Sequence, residues 1–358
     1  MDTNIHIERI ESSRIDSIDF DNLKFGKTFS DHMFVADYTD GKWQNYRIEP
    51  FQNISISPAN MTLHYSQTVF EGMKATITED GTPLLFRPEM NAKRLNASAI
   101  RMSMPPFPVD EFLEALETLV VIDKEWIPKQ PGHSLYIRPF MFATDEYVGV
   151  KSSDTYKLFI ITTPVSTYYS KSVSLLASEK YVRATHGGVG EAKTGGNYAA
   201  TLLPVKEANK EGYDQILWLD GKDFTNIQEC GTMNLFFIID GKVVTPIADG
   251  AILNGITRDS IITYLRDKGL EVDIRLVTIK EIFEAADKGL LEDAFGTGTA
   301  AVITHIDSIT WRDKKTTLPP LENRPHSVGA KEYITLLRSG EVEDKFGWIR
   351  VVNEEDTH

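Results

Sequence analysis

One lysine of the chain lies in a stretch that is unusually rich in glycine. The segment THGGVGEAKTGGNY, residues 185–198, places five glycines around Lys193. Glycine lets the backbone come close to a bulky ligand, and a lysine beside such a ligand can form a Schiff base once its pKa falls below about 10.4. The pattern indicates this chemistry at Lys193. A surface loop with a solvated lysine is the alternative interpretation.

Three further clusters supply groups that complement such a lysine. Residues 255–257, Gly-Ile-Thr, predict a helix start whose amides can bind an anion, and Arg87 could add a cation for a phosphate. Residues 296–300, GTGTA, predict a turn whose amides could hold a carboxylate. Glu229 lies in an apolar stretch and needs a cationic partner, such as a protonated pyridine nitrogen. With Lys193, these groups predict amino-acid chemistry on pyridoxal phosphate.

Two glycine motifs keep a nucleotide-binding interpretation open. Residues 296–301 match G-x-G-x-x-A, but the preceding GLLEDAF does not predict a strand and no βαβ unit follows. Residues 187–194 match the P-loop pattern at all but one position, because Ala192 stands where the second glycine belongs. A P-loop-like nucleotide-binding protein is thus one alternative. A non-enzymatic binding module with purely structural glycine turns is another.

Other common catalytic patterns are missing from the sequence. The eight histidines show no metal-ligand spacing, so no metal site is predicted. There is no G-x-S-x-G nucleophile motif. Cys230 has no evident base nearby in the sequence and is interpreted as a small buried apolar residue.

The composition limits the classes of partner. The chain has 358 residues, with 52 Asp and Glu against 38 Lys and Arg, for a net charge of −14. This acidic balance argues against binding to nucleic acid or to an anionic membrane. No apolar run is long enough for a transmembrane helix, and the first twenty residues lack the apolar core of a signal peptide. The single cysteine fits a reducing compartment, so a cytoplasmic protein is expected.

Turn and helix-cap patterns in the sequence predict the strands and helices that must position these groups. Four Asp-Gly pairs between strand-like runs predict two-residue hairpin turns, at 40–41, 80–81, 220–221 and 240–241. Asp110 is expected to cap a helix over 111–126, and Thr278 with Glu281 predicts a capping box. Four antiparallel hairpins with interspersed helices predict an α+β fold.

Two domains are expected from the length and from the hairpin pairs in each half. The polar stretch 162–172 is the candidate boundary region. The predicted division is a small N-terminal domain at 1–165, a linker at 166–172, and a larger β-rich domain at 173–358 that carries the lysine.

Eight stretches, in chain order from residue 25 onward, resemble branched-chain amino-acid aminotransferases of fold type IV. They are FGKTFSDHM (25–33), LHYSQTVFEGMKA (63–75), FRPEMNAKRL (86–95), LYIRPF (135–140), AKTGGNYA (192–199), ECGTMNLF (229–236), LNGITR (253–258) and FGTGTAA (295–301). The resemblance implies a two-domain enzyme with pyridoxal phosphate between the domains.

The resemblance also implies a role for each matching residue. Lys193 is the Schiff-base and proton-shuttling lysine, Glu229 is the partner of the pyridine nitrogen, and Tyr198 bonds the ring's 3′ oxygen. The other implied cofactor contacts are Arg87, Thr232, Leu253, Gly255, Ile256, Thr257 and Thr299. The implied substrate contacts comprise an aromatic box of Phe25, Tyr65, Phe70 and Tyr136 around the side chain. Arg138 is implied at the rim of this box, where it meets the distal carboxylate of glutamate. Thr299 and Ala300 form the turn that binds the α-carboxylate.

The implied reaction exchanges the amino group between leucine, isoleucine or valine and 2-oxoglutarate, so the partners are small amino and 2-oxo acids. A homodimer is implied as well. A D-amino-acid aminotransferase or an aminodeoxychorismate-lyase-like activity on the same fold is the alternative within this group. Some animal members carry a Cys-x-x-Cys just after the turn, where this chain has Ala301 and Thr304, so thiol regulation of that kind is not expected.

Overall fold

The computed structural model describes residues 5–166 and 171–353. The first strands and helices are β1 (His6–Ile7), β2 (His32–Thr39), β3 (Lys42–Pro50), α1 (Met61–Tyr65), β4 (Thr68–Phe70), β5 (Met73–Ile77), β6 (Pro83–Phe86), α2 (Pro88–Arg101), α3 (Val109–Ile122), β7 (Ser134–Ala143) and β8 (Tyr156–Val165).

The second half of the chain continues the alternation of strands and helices. Its elements are β9 (Val173–Ser178), α4 (Gly195–Ala199), α5 (Leu202–Lys210), β10 (Gln215–Leu219), β11 (Ile227–Cys230), β12 (Met233–Ile239), β13 (Lys242–Pro246), α6 (Ile256–Asp267), β14 (Val272–Arg275), α7 (Ile279–Asp287), β15 (Leu291–Gly298), β16 (Val302–Trp311), β17 (Lys314–Thr317), α8 (Pro325–Arg338) and β18 (Ile349–Val351).

The chain divides into two compact units. The N-terminal unit comprises the described residues of Met1–Tyr168, Ala192–Gly195 and Thr335–His358, and the C-terminal unit those of Tyr169–Glu191 and Gly196–Ile334. Lys193 therefore groups with the N-terminal unit. The domain limits read from the sequence, 1–165 and 173–358, stay a prediction. Within the candidate boundary region 162–172, residues 167–170 lie outside the described residues, and 162–165 form the end of β8.

The N-terminal unit is built on a nine-stranded sheet. The strand order is β1-β3-β2-β8-β7-β5-β6-β18, with β4 also paired to β7, and its pairs are antiparallel apart from β1–β3. Helices α2 and α3 bury apolar side chains in the core beneath it, among them Leu95, Leu116 and Leu119. Helix α3 begins at Val109 after Pro108, so the expected Asp110 cap was wrong; Asp110 lies in the first turn, where its charge favours the helix.

The C-terminal unit is built on a second nine-stranded sheet that closes on itself. The order β11-β10-β9-β16-β15-β12 is completed by a pairing of β11 with β12, and β13, β14 and β17 extend it. Closure removes free edges from the six-stranded ring. Helix α7 packs Ile282 into the core of this unit. Its predicted capping residue is confirmed, since the Glu281 N–H donates to Thr278 Oγ1 at 3.0 Å.

The Asp-Gly pairs fall into two classes. Asp40-Gly41 and Asp240-Gly241 join β2 to β3 and β12 to β13, with both residues of each pair at positive φ, so these two predictions are confirmed. At 80–81 and 220–221 the strands are separated by longer loops and the aspartates do not have positive φ. The two-residue turns expected there were wrong. Mostly antiparallel sheets with interspersed helices nevertheless confirm the α+β prediction.

Within the described residues, every helix is too short or too polar to cross a bilayer.

Candidate active site

The lysine segment is held firmly against the N-terminal unit. The Lys193 N–H donates to Ser98 Oγ at 2.9 Å, and the Lys193 carbonyl accepts from the Phe70 N–H at 3.0 Å. Thr194, 1% exposed, donates from its hydroxyl to the Thr68 carbonyl at 2.7 Å. The segment is thus paired alongside β4, with Thr194 bridged to Val69. This geometry argues against the solvated-loop interpretation and fixes the point from which the amine extends.

A buried carboxylate lies beside this lysine. Glu71 is fully buried and forms an ion pair with Arg94 at 2.7 Å, while Asn91 Nδ2 donates to it at 2.8 Å. Burial raises the pKa of Glu71, but the charges of Arg94 and Lys193 outweigh it and hold that pKa below its ordinary value. Glu71 is therefore an ionised neighbour of the lysine. The sequence reasoning missed it as a site residue, although it lies in the matched stretch FEGMKA.

Four of the predicted substrate residues form a wall beside the lysine. The Arg138 guanidinium lies 4.9 Å from the Phe70 ring centroid and 5.3 Å from that of Tyr136, and its Nη2 donates to the Tyr136 hydroxyl at 3.0 Å. Phe25 meets Tyr136 edge-on, with centroids 5.1 Å apart. The ammonium of Lys193 lies 4.9 Å from the Phe70 centroid. The N-terminal unit therefore presents an aromatic surface with an arginine set into it.

A glycine is needed to form this wall. A Cβ on Gly72 would come within 2.0 Å of the Tyr136 hydroxyl oxygen, so any other residue would displace that ring. Tyr65 has different contacts from the other predicted box residues: its hydroxyl donates to the Val148 carbonyl and its ring lies 6.1 Å from that of His64.

Arg87 is fixed at the start of α2 rather than exposed as an ordinary surface arginine. It adopts the left-handed conformation with φ of 49° and is 9% exposed. Its N–H donates to the Trp348 carbonyl at 2.8 Å, and its guanidinium lies 5.4 Å from the Trp348 centroid. Trp348, the residue before β18, therefore orients this arginine. No local sequence signal indicated this contact.

In the C-terminal unit, Glu229 has the cationic partner that its burial required. Glu229 lies in β11 at 3% exposure, and its Oε2 is 2.8 Å from Nε of the buried Arg183. Asn234 Nδ2 donates both to Glu229 Oε1 and to the Leu253 carbonyl, each at 2.8 Å. The arginine lies within ion-pair distance of the acid, and the asparagine ties it to the loop that precedes α6. The sequence reasoning did not find Arg183.

The helix start predicted at residues 255–257 is confirmed, and it depends on the glycine at position 255. Helix α6 begins at Ile256, with Gly255 as its N-cap. A Cβ on Gly255 would lie 1.9 Å from Asn234 Oδ1, so a larger residue would break the link between this helix and Glu229. The first amides of a helix have no intrahelical acceptor and bind anions. Thr257, at 5% exposure, adds a hydroxyl at the same end.

The predicted carboxylate turn joins two long strands. The expectation that residues 289–295 form no strand was wrong, because β15 runs from Leu291 to Gly298 between β12 and β16. Thr299 and Ala300 lie in the turn that follows. Val302 then has φ of 59°, a left-handed conformation that is strained for a β-branched residue. Such strain is concentrated at functional turns.

The remaining predicted residues also lie in the C-terminal unit. Thr232 occupies the turn between β11 and β12, and Tyr198 lies in α4. Cys230 is buried, as predicted, and burial with the nearby charge of Glu229 raises the pKa of its thiol. A protonated, buried thiol is a poor nucleophile.

The donors in each unit, taken separately, fit pyridoxal phosphate. The C-terminal unit supplies the buried Glu229, which could meet a protonated ring nitrogen, and a helix start for a phosphate. The N-terminal unit supplies an amine on a pinned segment and Arg87. A P-loop is not supported, because Lys193 and Thr194 are hydrogen-bonded to Ser98, Phe70 and Thr68, and the helix that follows, α4, is only five residues long.

Known proteins with similar sequences are aminotransferases. Residues 68–309 match the family model of amino-transferase class IV. Branched-chain-amino-acid aminotransferase 2 of Bacillus subtilis is 47% identical over 334 residues, which cover 92% of each chain. A probable branched-chain-amino-acid aminotransferase of Staphylococcus epidermidis is 46% identical over 97% of this chain and 98% of its own.

Solved structures agree with the sequence comparison. The branched-chain amino acid aminotransferase of Escherichia coli is similar with a TM-score of 0.72 and 28% identity, over 90% of this chain and 99% of its own. A second branched-chain amino acid aminotransferase, in complex with N-(5'-phosphopyridoxyl)-L-glutamate, gives a TM-score of 0.70 and 27% identity over 89% and 98%. These matches confirm the fold type IV prediction and the pyridoxal phosphate cofactor, and the chain belongs to the class IV aminotransferases.

Proposed function

We propose that this aminotransferase moves the amino group of leucine, isoleucine or valine to 2-oxoglutarate and so forms L-glutamate and a branched 2-oxo acid. The observation that carries the proposal is the wall formed by Phe25, Phe70, Tyr136 and Arg138 beside Lys193. An aromatic surface accepts a branched side chain, and one arginine at that surface accepts a distal carboxylate. The names of the similar bacterial enzymes support the same substrates.

In this proposal each predicted residue has one task. The bound pyridoxal phosphate supplies an electron-accepting ring that stabilises negative charge at the substrate Cα. The Lys193 amine carries the proton to and from that carbon. Glu229, paired with Arg183, would hold the ring nitrogen protonated. Tyr198 donates to the ring oxygen.

The anionic groups are held by amides and arginines. The first amides of α6, at Ile256 and Thr257, and the Arg87 side chain bind the phosphate, with Gly255 and Leu253 shaping the approach. The amides of Thr299 and Ala300 bind the substrate α-carboxylate, and Thr232 lies near the cofactor. The left-handed Val302 holds this turn in one conformation.

Arg138 explains how one wall serves two chemically different side chains. Its Nη2 is engaged by the Tyr136 hydroxyl, whereas its Nε is buried and has no hydrogen-bond partner among the described residues. A buried guanidinium N–H without a partner is costly. A glutamate carboxylate would satisfy it, while a branched apolar side chain contacts the flanking rings.

The test is a half-reaction assay against a panel of L- and D-amino acids, with and without Arg138→Gln. L-leucine, L-isoleucine and L-valine should react and D-amino acids should not. The substitution should raise KM for glutamate by about 10–100-fold, since a hydrogen bond to a charge is worth about 1.5–3 kcal/mol, and should change leucine turnover little. Arg101→Gln, at an exposed position of α2, is the control. Equal losses for both substrates would refute the role given to Arg138.

Two further features belong to the proposal. A homodimer is expected from the family, and light scattering of the holoenzyme tests it. The cytoplasmic location expected from the single cysteine stays a prediction, which cell fractionation tests.

A further inference from the structure

One residue of the wall, Phe25, lies on a loop, whereas the other three belong to β4 and β7. The loop comprises residues 15–30, between β1 and β2, and is called the Phe25 loop below. It contains two short helical turns, Ile15–Ser17 and Phe20–Asn22. Phe25 is 43% exposed and meets the Tyr136 ring edge-on, with centroids 5.1 Å apart. The position of Phe25 therefore depends on what holds this loop.

One buried carboxylate joins the two ends of the Phe25 loop. Asp31 directly follows the loop and is 4% exposed. Arg14 directly precedes the loop, and its backbone N–H and its Nε both donate to Asp31 Oδ1, each at 3.2 Å. The Ser13 hydroxyl donates to Asp31 Oδ2. A surface loop whose ends meet in this way is an Ω-loop, a class of loop that is frequently functional.

The carboxylate is itself fixed to the core of the N-terminal unit. The fully buried Trp126 donates from Nε1 to Asp31 Oδ2 at 2.8 Å, and the Phe51 N–H donates to the Asp31 carbonyl at 2.8 Å. Burial raises the pKa of Asp31, but the hydrogen bonds from Ser13, Trp126 and Arg14 outweigh it and hold that pKa below its ordinary value. Asp31 is thus an ionised anchor for the start of the loop.

The Arg14 side chain also contacts the part of the loop that follows Phe25. Its Nη2 donates to the Phe29 carbonyl at 3.3 Å and to the Ser30 carbonyl. Its guanidinium carbon lies 5.8 Å from the centroid of Phe51, and the Phe51 ring stacks on that of Phe29 with centroids 4.8 Å apart. The planar guanidinium group, with several donors and a flat face, suits such a junction. One side chain therefore contacts both the start and the end of the loop.

We propose that Arg14 is a positioning residue, which closes the Phe25 loop and thereby holds Phe25 against Tyr136 for contact with a branched substrate side chain. The inference rests on the proposed function, because that function assigns Phe25 to the substrate. A loop that is ordered in advance does not lose conformational entropy when the substrate binds, so closure increases affinity. The distal carboxylate of glutamate is assigned instead to Arg138, which belongs to β7 and does not depend on the loop.

The first test compares KM for leucine and for glutamate in half-reactions of the holoenzyme. Arg14→Met should raise KM for leucine by about 3–10-fold, the effect of ordering a loop during binding, and should change KM for glutamate by less than about twofold. Arg14→Lys keeps the charge but not the planar fork, so its increase should be smaller. Arg9→Gln, at an exposed position before the loop, is the matched control and should behave as the wild type. An unchanged KM for leucine in Arg14→Met, or equal increases for both substrates, would overturn the proposal.

A double variant tests whether Arg14 acts through Phe25. Phe25→Ala should also raise KM for leucine. Adding Arg14→Met to Phe25→Ala should raise it no further, because the loop then has no aromatic ring to place. A loss of stability alone would not depend on the residue at position 25. If the two effects multiply, Arg14 does not act through Phe25 and the proposal is wrong.

A third measurement does not depend on catalysis. Lys24 and Lys27 flank Phe25 and are exposed, so trypsin can cleave after them once the loop opens locally. Arg14→Met should increase the rate of cleavage at these two sites, identified by mass spectrometry, by about tenfold, whereas Arg9→Gln should not. Unchanged cleavage in Arg14→Met would refute the closure of the loop by Arg14. A wild type inactive toward branched amino acids would refute the proposed function, and the cleavage rates would still decide whether Arg14 holds the loop.

Discussion

Replacing Arg183 with Met should destabilise the protein strongly, because it leaves a buried carboxylate without its cation. Arg183 Nε and Glu229 Oε2 are 2.8 Å apart, with side chains 7% and 4% exposed. Removing one member of such a pair costs about 3–5 kcal/mol. At about 1.36 kcal/mol for each factor of ten, the unfolding equilibrium constant should rise by about 10²–10⁴-fold.

The assay is urea unfolding of the holoenzyme at one saturating cofactor concentration, for Arg183→Met, Glu229→Gln and the double variant. The double variant removes both charges, so its loss should be about 2–4 kcal/mol smaller than the sum of the single losses. Some loss should persist, because Arg183 also donates to the Ala251 carbonyl at 2.5 Å. The slope of the free energy against urea should stay constant, so that midpoints can be compared.

An exposed ion pair of the same unit provides the matched control. Arg312 lies 2.9 Å from Glu179, but its side chain is 62% exposed. Solvent screens such a pair, so Arg312→Met should move the unfolding midpoint little. If the losses at Arg183 and Glu229 simply add, or if Arg312→Met costs as much as Arg183→Met, the reasoning about burial is wrong.

Two other predictions concern the same unit. Gly255→Ala should destabilise this unit by about 1–3 kcal/mol through overpacking, since the new Cβ would lie 1.9 Å from Asn234 Oδ1. Gly196→Ala is the control, because a Cβ there meets nothing within 4 Å and should not destabilise the unit. Equal melting temperatures for the two variants would contradict this prediction. Burial, with the charges of Lys331 and Arg324, lowers the pKa of His305 to about 4. The folded state therefore binds fewer protons than the unfolded state between about pH 4 and 6.5, and this contribution to stability rises with pH across that window. The advantage of the wild type over His305→Gln should grow from pH 4 to 6.5 and then level off, and a difference in unfolding free energy that is constant with pH would exclude it.

Local signals in the sequence predicted local structure well. The cap at Thr278, the start of α6 at Ile256 and the turns at 40–41 and 240–241 each depend on a few adjacent residues and were confirmed. The strand β15 was missed because its own residues have weak strand character. Its pairing on both sides, with β12 and β16, decides its conformation, and such tertiary pairing overrides local propensity.

In the candidate site, too, the sequence indicated what depends on neighbouring residues and missed what depends on the fold. The glycine-rich context of Lys193 and the apolar context of Glu229 marked both residues in the sequence, and the resemblance assigned their roles. Arg183, Glu71 and the Trp348 contact of Arg87 were not found, because each depends on a partner that is distant in the chain and is brought close only by the fold. A sequence shows which residues can do chemistry, whereas the residues that tune their charge are identified from the packed structure.

The net charge of −14 gives a misleading view of how this protein binds its anionic substrates. The acidic residues dominate the total, but charges at the surface are screened over about 8–10 Å by salt. Arg87 and the Nε of Arg138 are instead placed where water is largely excluded, and there each charge acts more strongly. The acidic surface therefore offers no long-range attraction to 2-oxo acids. In the proposed function, recognition comes from these two guanidinium groups, from the amides at the start of α6 and from those of Thr299 and Ala300.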